Sequence, residues 1–278
     1  MSPEDVTAVI ALLRDVARTE ILPRFKHLRP GDVRSKNGPL DPVTVADEAA
    51  EKALHAGLKN LFPGDDVIGE EAVSSGAASL DRLAAPGRVW ILDPIDGTAN
   101  FAAELPLFGV MASLVEADEI LAGFIYDPFG DDCAYALAGQ GAYLRAADGS
   151  ERRLQVAAPV PVAHMTGSLS WRFMEEPLRS RVLHRLGRLA AVTDYRCAAH
   201  QYRMAAAGHC HVQMFRKLLP WDHAAGVLLH REAGGFARRF DGSAYRPSTI
   251  TGGLLLAPDA ASWAALAEAL LREEAAAF

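Results

Sequence analysis

Residues 90–101 read WILDPIDGTANF, and no other stretch limits the possible folds as tightly. Val89 to Leu92 is an apolar run of the kind that forms a buried strand. It breaks directly into Asp93 and Asp96, separated by Pro94 and Ile95. Pro94 restricts the backbone before and at its own position, and Gly97 permits a tight turn. The Ile95 carbonyl can aim at the same point as the two carboxylates. Hard cations such as Mg²⁺ take carboxylate and carbonyl oxygens of this kind, with water completing the shell. The alternative at this turn is structural, with both acids capping the helix that follows.

Three other places put acids where elements begin or end: Asp47, Glu70 with Glu71, and Asp222. One acid at a helix start is ordinarily a cap. Several unpaired carboxylates crowded at strand ends repel one another, and a bound divalent cation relieves that repulsion. The four places together therefore favour a metal cradle over four separate caps.

Around these acids, Ser2-Pro3 starts a helix whose apolar positions run to about residue 28. Val43-Thr44-Val45 is strand-like, and Asp47 is expected to cap a helix over residues 48–62. Residues 67–71 read as a strand entering Glu70 and Glu71. Residues 73–88, rich in Ser, Ala and Gly, form a loop or short helix. Strands are expected at 89–92, 109–115, 120–126, 133–137 and 141–145, in an antiparallel-rich sheet without regular βαβ alternation. Pro159 and Pro161 mark a boundary between an N-terminal half, 1–155, and a C-terminal half, 156–278. The second half carries helices near 177–189, 222–233 and 260–274, with the 222–233 helix closed by Gly234-Gly235.

Half of the 278 residues are hydrophobic, and the net charge is −7. This is a globular composition whose mild acidity argues against a nucleic-acid-coating surface. The three cysteines make no Cys-x-x-Cys pair, which favours a reducing compartment. The N-terminus lacks the basic start and unbroken apolar core of a signal peptide. No apolar run approaches the roughly 20 residues of a membrane helix. A cytoplasmic protein without membrane or nucleic-acid partners is expected.

The chain resembles the inositol monophosphatase family of Mg²⁺-dependent phosphatases, whose superfamily includes the fructose-1,6-bisphosphatases. Four blocks carry the resemblance: residues 41–47 (DPVTVAD), 68–71 (IGEE), 90–101, and 221–226 (WDHAAG) continuing to Glu232-Ala233-Gly234-Gly235. The resemblance implies an α/β fold built as a layered αβαβα sandwich, a homodimer and sensitivity to Li⁺. It implies that Glu70, Asp93 and the Ile95 carbonyl hold one Mg²⁺ and that Asp93, Asp96 and Asp222 hold a second. A third, weaker ion would rest on Glu70, which thereby counts among the catalytic residues. Thr98 and Asp47 would orient and deprotonate the attacking water, and Gly97 with Thr98 would meet the phosphate. Lys36 matches a family lysine near the catalytic loop.

The sequence departs from the family where inositol hydroxyls are held. Counting back from Asp222, the family's Gly-Ser/Thr-Ala-like stretch reads Arg196-Cys197-Ala198-Ala199-His200. The expected Asp falls at His211, and the expected Glu at Phe215, followed by Arg216-Lys217. The expected substrate contacts are therefore Lys36, Arg196, Ala198, His200, Phe215 and Arg216. With Arg203, these basic groups suit a substrate carrying a second anion. Histidinol phosphate, fructose 1,6-bisphosphate or a nucleotide 3′-phosphate are alternatives to inositol phosphate. A regulatory protein on a phosphatase fold is the alternative from another class. His209-Cys210-His211 lacks the partner ligands of a soft-metal site, and His164, His184 and His230 read as surface or groove residues.

Overall fold

The computed structural model describes residues 1–36, 38 and 41–272. Ser2 and Asp5 exchange side-chain and backbone hydrogen bonds in a capping box that opens α1 (Pro3–Val16). The helical path continues through a π turn (Ala17–Ile21) and a 3₁₀ turn (Leu22–Arg24), stopping short of residue 28. A two-stranded ribbon, β1 (Val33–Ser35) and β2 (Pro42–Thr44), leads into α2 (Val45–Leu61). Thr44, rather than the expected Asp47, caps α2, because its hydroxyl reaches the Ala46 amide at 3.1 Å. Asp47 lies one turn inside.

The first sheet has seven strands in the order β3 (Asp66–Gly69), β4 (Arg88–Asp96), β5 (Gly109–Glu116), β6 (Glu119–Asp127), β7 (Asp132–Leu137), β8 (Gly141–Arg145) and β9 (Glu151–Arg153). Only β3 and β4 pair in parallel. Two five-residue helices interrupt this run: α3 (Glu70–Ser74) after β3 and α4 (Thr98–Ala102) after β4. Glu70 and Glu71 thus open a helix instead of ending a strand.

The chain enters the second sheet at β10 (Thr166–Leu169). It continues through α5 (Leu178–Arg185), β11 (Ala191–Thr193), α6 (Ala198–Ala206), β12 (Val212–Phe215), α7 (Pro220–Glu232), β13 (Phe236–Arg239), β14 (Leu254–Ala257) and α8 (Ala260–Leu270). The strand order is β11-β10-β12-β14-β13, with the first three strands mutually parallel and the other pairings antiparallel. These strands are three or four residues long, too short to leave a period-two pattern in the sequence.

Alternation along the strands builds the layers. Trp90 and Leu92 face α1 and α2, packing with Val9, Leu13, Ala50 and Leu54. Val89 and Ile91 face the other way, toward Ala224, Ala225 and Leu228 of α7. This burial on both faces explains the unbroken apolar run of β4. Leu254 and Leu256 close the far side of the middle layer, while Leu255 and Ala257 face Leu266 and Leu270 of α8. The order is helix, sheet, helix, sheet, helix. At Gly226 any Cβ would lie 2.1 Å from the Tyr202 ring, so glycine permits α6 and α7 to meet.

His230 of α7 is buried, contrary to the surface position expected for it. Its Nε2 donates to the Ala257 carbonyl at 3.0 Å, and Nδ1 has no partner among the described residues. Burial lowers its pKa from an ordinary 6.5 to about 4. The unfolded chain therefore takes up a proton before the folded one does, and stability from the neutral ring is lost as pH falls from 6.5 toward 4. Denaturant unfolding at pH 7 and pH 4.5 should show the wild type losing about 2–3 kcal/mol more than His230→Met over that interval. Equal pH slopes would place the titration elsewhere.

Candidate active site

The pairing of β4 with β5 shows how Asp93 and Asp96 reach one place. Asp93 lies opposite Met111 and Asp96 opposite Gly109, three steps on one strand against two on the other. The extra residue is a β-bulge at Pro94-Ile95. Side chains three apart on a regular strand face opposite ways, and the bulge removes that opposition. Gly97 then takes φ +91°, where a Cβ would lie 3.0 Å from the Leu107 carbonyl oxygen and 3.1 Å from Cys197 Cβ. This turn starts α4, and Asp93, Ile95, Asp96, Gly97 and Thr98 all line one open pocket.

Glu70, Asp93 and Asp222 each bring a carboxylate oxygen within 4.8 Å of the other two. They come from the starts of α3 and α7 and from the bulged end of β4. Desolvation, and then the charge of Glu70, hold the Asp93 and Asp222 carboxyls well above the ordinary range. Asp93 Oδ1 is buried with no hydrogen-bond partner among the described residues. A hard divalent cation fits this donor set: it would satisfy that oxygen and offset the mutual repulsion.

Asp96 faces the same pocket but stands outside this trio. Its Oδ2 accepts from Cys197 Sγ at 2.9 Å and from the Ala199 amide at 2.6 Å, tying the acid to the start of α6. The Ile95 carbonyl lies 2.8 Å from the Thr98 hydroxyl. That hydroxyl is also 2.9 Å from Asp47 Oδ1, while Asp47 Oδ2 accepts from the Thr44 amide and hydroxyl at 2.8 and 2.5 Å. Burial raises Asp47 to about 6 despite those hydrogen bonds. A carboxylate with that pKa, linked to a pocket hydroxyl, can accept a proton near neutral pH.

The expected substrate residues divide. Arg196, Ala198, Phe215 and Arg216 line the pocket. Lys36 does not line it, because its ammonium pairs with Glu70 at 2.5 Å and Glu71 at 3.0 Å. His200 turns away, its Nε2 3.1 Å from the Phe108 carbonyl oxygen. Arg203 is bound to Asp132 and to the Ile125 carbonyl on the flank of the first sheet. Two pocket cations, Arg172 and Lys217, were not among the expected contacts. Lys217 follows Arg216 directly and was legible from that adjacency, whereas nothing around Arg172 marks it.

Glu51 was also missed. Its two carboxylate oxygens accept from the Glu71 and Ala72 amides at 2.7 and 2.8 Å, capping the helix that presents Glu70.

The sequence matches the inositol monophosphatase family over residues 2–275. The chain belongs to that family. An inositol-1-monophosphatase of Bacillus subtilis is 31% identical over 216 residues, covering 77% of this chain and 78% of the relative. A Thermotoga maritima protein named fructose-1,6-bisphosphatase/inositol-1-monophosphatase is 29% identical, covering 77% of each chain. Among solved structures, the extragenic suppressor protein suhB of Bartonella henselae superposes with a TM-score of 0.79 at 25% identity, over 98% of this chain and 100% of that one. Family membership makes the protein a phosphoric monoester hydrolase with a metal-dependent site.

The crowding of like charge has a measurable consequence. In chelator, at a pH high enough to ionise the trio, Asp93→Asn removes one charge from it and should raise the melting temperature by about 2–4 °C for each kcal/mol of repulsion relieved. The same variant should lose phosphate release. A lowered melting temperature in chelator would show that the trio does not repel as described.

Proposed function

We propose that the chain hydrolyses a small phosphate monoester using Mg²⁺, with two to three ions per site. The observation that carries this reading is the unpartnered Asp93 Oδ1 inside the Glu70–Asp93–Asp222 trio, beside the Thr98–Asp47 hydrogen bond. Glu70, Asp93 and the Ile95 carbonyl would hold one ion, and Asp93, Asp96 and Asp222 another. Bound Mg²⁺ supplies Lewis acidity toward the phosphoryl oxygens and the departing alkoxide and lowers the pKa of water.

The residues of the chain do the rest. Thr98 Oγ1 accepts a hydrogen bond from the attacking water while its own proton points to Asp47 Oδ1. As the water attacks phosphorus, its proton passes to Thr98 Oγ1 and the Thr98 proton to Asp47, with the P–O ester bond breaking on the opposite side. Gly97 and Thr98, at the pocket wall, would meet the phosphate oxygens. Lys36 steadies Glu70 and Glu71, and Glu51 holds their helix. Both halves, 1–155 and 156–278, are needed, because Asp222 comes from the second.

Inositol phosphate is the first substrate to test, on the names of the relatives. Histidinol phosphate, fructose 1,6-bisphosphate and nucleotide 3′-phosphates are the alternatives. The resemblance further supports a homodimer, checked by light scattering, and inhibition by Li⁺, checked by titration. No described helix is long and apolar enough to cross a membrane, which accords with the cytoplasmic location proposed.

Phosphate release should require Mg²⁺ and stop with EDTA. Thr98→Val should lower kcat by about 10²–10⁴-fold with a smaller change in KM, as expected when a proton relay is cut. Because Asp47 must be a carboxylate to accept the proton, kcat should decline as pH falls below about 6. Full activity in Thr98→Val, or release that persists in EDTA, would overturn the mechanism.

A further inference from the structure

The active-site pocket is built from two chemically opposite sets of residues, and apart from Asp222 on α7 they come from different sheets. Glu70, Asp93 and Asp96 lie at the ends of elements in the first sheet layer. The cations come from the second. Strands β11, β10 and β12 are adjacent and mutually parallel, and the segment leaving each carboxyl end delivers a pocket cation. Arg172 follows β10 by three residues, Arg196 follows β11 by three, and Arg216 with Lys217 follows β12 at once. The carboxyl ends of neighbouring parallel strands are where open α/β sheets hold their ligands.

These cations are not consumed equally by the protein. Lys217 lies near enough to Glu70 and Asp222 to favour their ionised forms. Arg172 approaches Asp194 at 3.8 Å, and its Nε is buried without a partner among the described residues. Arg196 and Arg216 have no side-chain ion pair or hydrogen bond among the described residues. Arg196 is also held at φ +53°, a left-handed conformation uncommon for arginine, with its amide donating to Asp194 Oδ1 at 3.0 Å. Side-chain mutual repulsion between Arg172 and Arg196 is part of the arrangement. Uncommitted guanidinium groups gathered over a pocket cost stability unless an anion answers them.

We propose that the leaving group of the substrate carries a second acidic group, a phosphate or carboxylate, bound by Arg196 and Arg216 with Arg172 beside them. This rests on the phosphatase reading of the same pocket and extends it to the far end of the substrate. The scissile phosphate lies over the acids of the first sheet, and the second anion lies under the strand ends of the second sheet. Phe215, the last residue of β12 and part of the pocket lining, stacks on Tyr202 with ring centroids 5.1 Å apart and offers no acceptor for a sugar hydroxyl.

The test is phosphate release in Mg²⁺ from four esters. Fructose 1,6-bisphosphate and 3-phosphoglycerate carry the second anion as phosphate or carboxylate, whereas inositol 1-phosphate and glycerol 2-phosphate carry none. The preferred acidic ester should exceed both neutral ones by at least about tenfold in kcat/KM, chiefly through KM, as expected for one charge-assisted contact. That advantage should shrink as NaCl is raised. Arg216→Gln, and separately Arg196→Asn, which tolerates the left-handed backbone, should each lower the acidic-to-neutral ratio by about tenfold. Thermal melts would confirm that both variants fold. Equal kcat/KM for acidic and neutral esters, or variants that depress both classes alike, would overturn the inference while leaving the phosphatase reading intact. Failure to release phosphate from all four would overturn both.

Discussion

The interaction on which this structure depends is repulsive. Glu70, Asp93 and Asp222 are brought together against their own charge, and the folded chain must supply enough stability elsewhere to hold them there. The means are visible in the elements that carry them. Asp93 ends a strand buried on both faces by two separate apolar layers. Asp222 sits on α7, the helix packed between the two sheets. Glu70 opens a helix of only five residues, which could not hold its own position, and Glu51 from α2 caps it. Each acid is thus fixed by a different element, and β4 and α7 brace each other through Val89, Ile91, Ala224 and Leu228.

The protein offsets part of that repulsion with its own cations. Lys36 neutralises Glu70 and Glu71 from one side, and Lys217 acts on Glu70 and Asp222 from another. Neither reaches the unpartnered oxygen of Asp93. A flexible ammonium on a four-carbon stem is a poor match for several converging carboxylates, whereas a compact dication meets them with little steric demand. The acid cluster therefore remains incomplete as protein alone and complete with metal.

Much of this was legible in the sequence, and the parts that were not have physical reasons. Pro94 and Gly97 marked a break in a buried strand because each restricts or frees the backbone in a way that survives any context. The Asp47 position was misread by three residues because Thr44 and Asp47 are both good caps, and only the three-dimensional turn decides which hydroxyl or carboxylate reaches the free amide. The second sheet left no pattern because its strands span at most two alternations. Arg172 could not be found, since its place in the pocket depends on Gly167 pairing with Val212, a contact 45 residues long in sequence. His200 had the right spacing, but the turn of α6 carried it to the Phe108 carbonyl instead.

The bulge at Pro94-Ile95 and the parallel strand ends of the second sheet belong to separate layers, joined through α6 and α7. The cations proposed to meet the far end of a substrate can thus be exchanged at the tips of β10, β11 and β12, provided Cys197 and Ala199 keep their hold on Asp96. Such a chain can drift from one metabolite to another across evolutionary time without relearning the reaction, because the reaction and the choice of molecule are inherited through different loops.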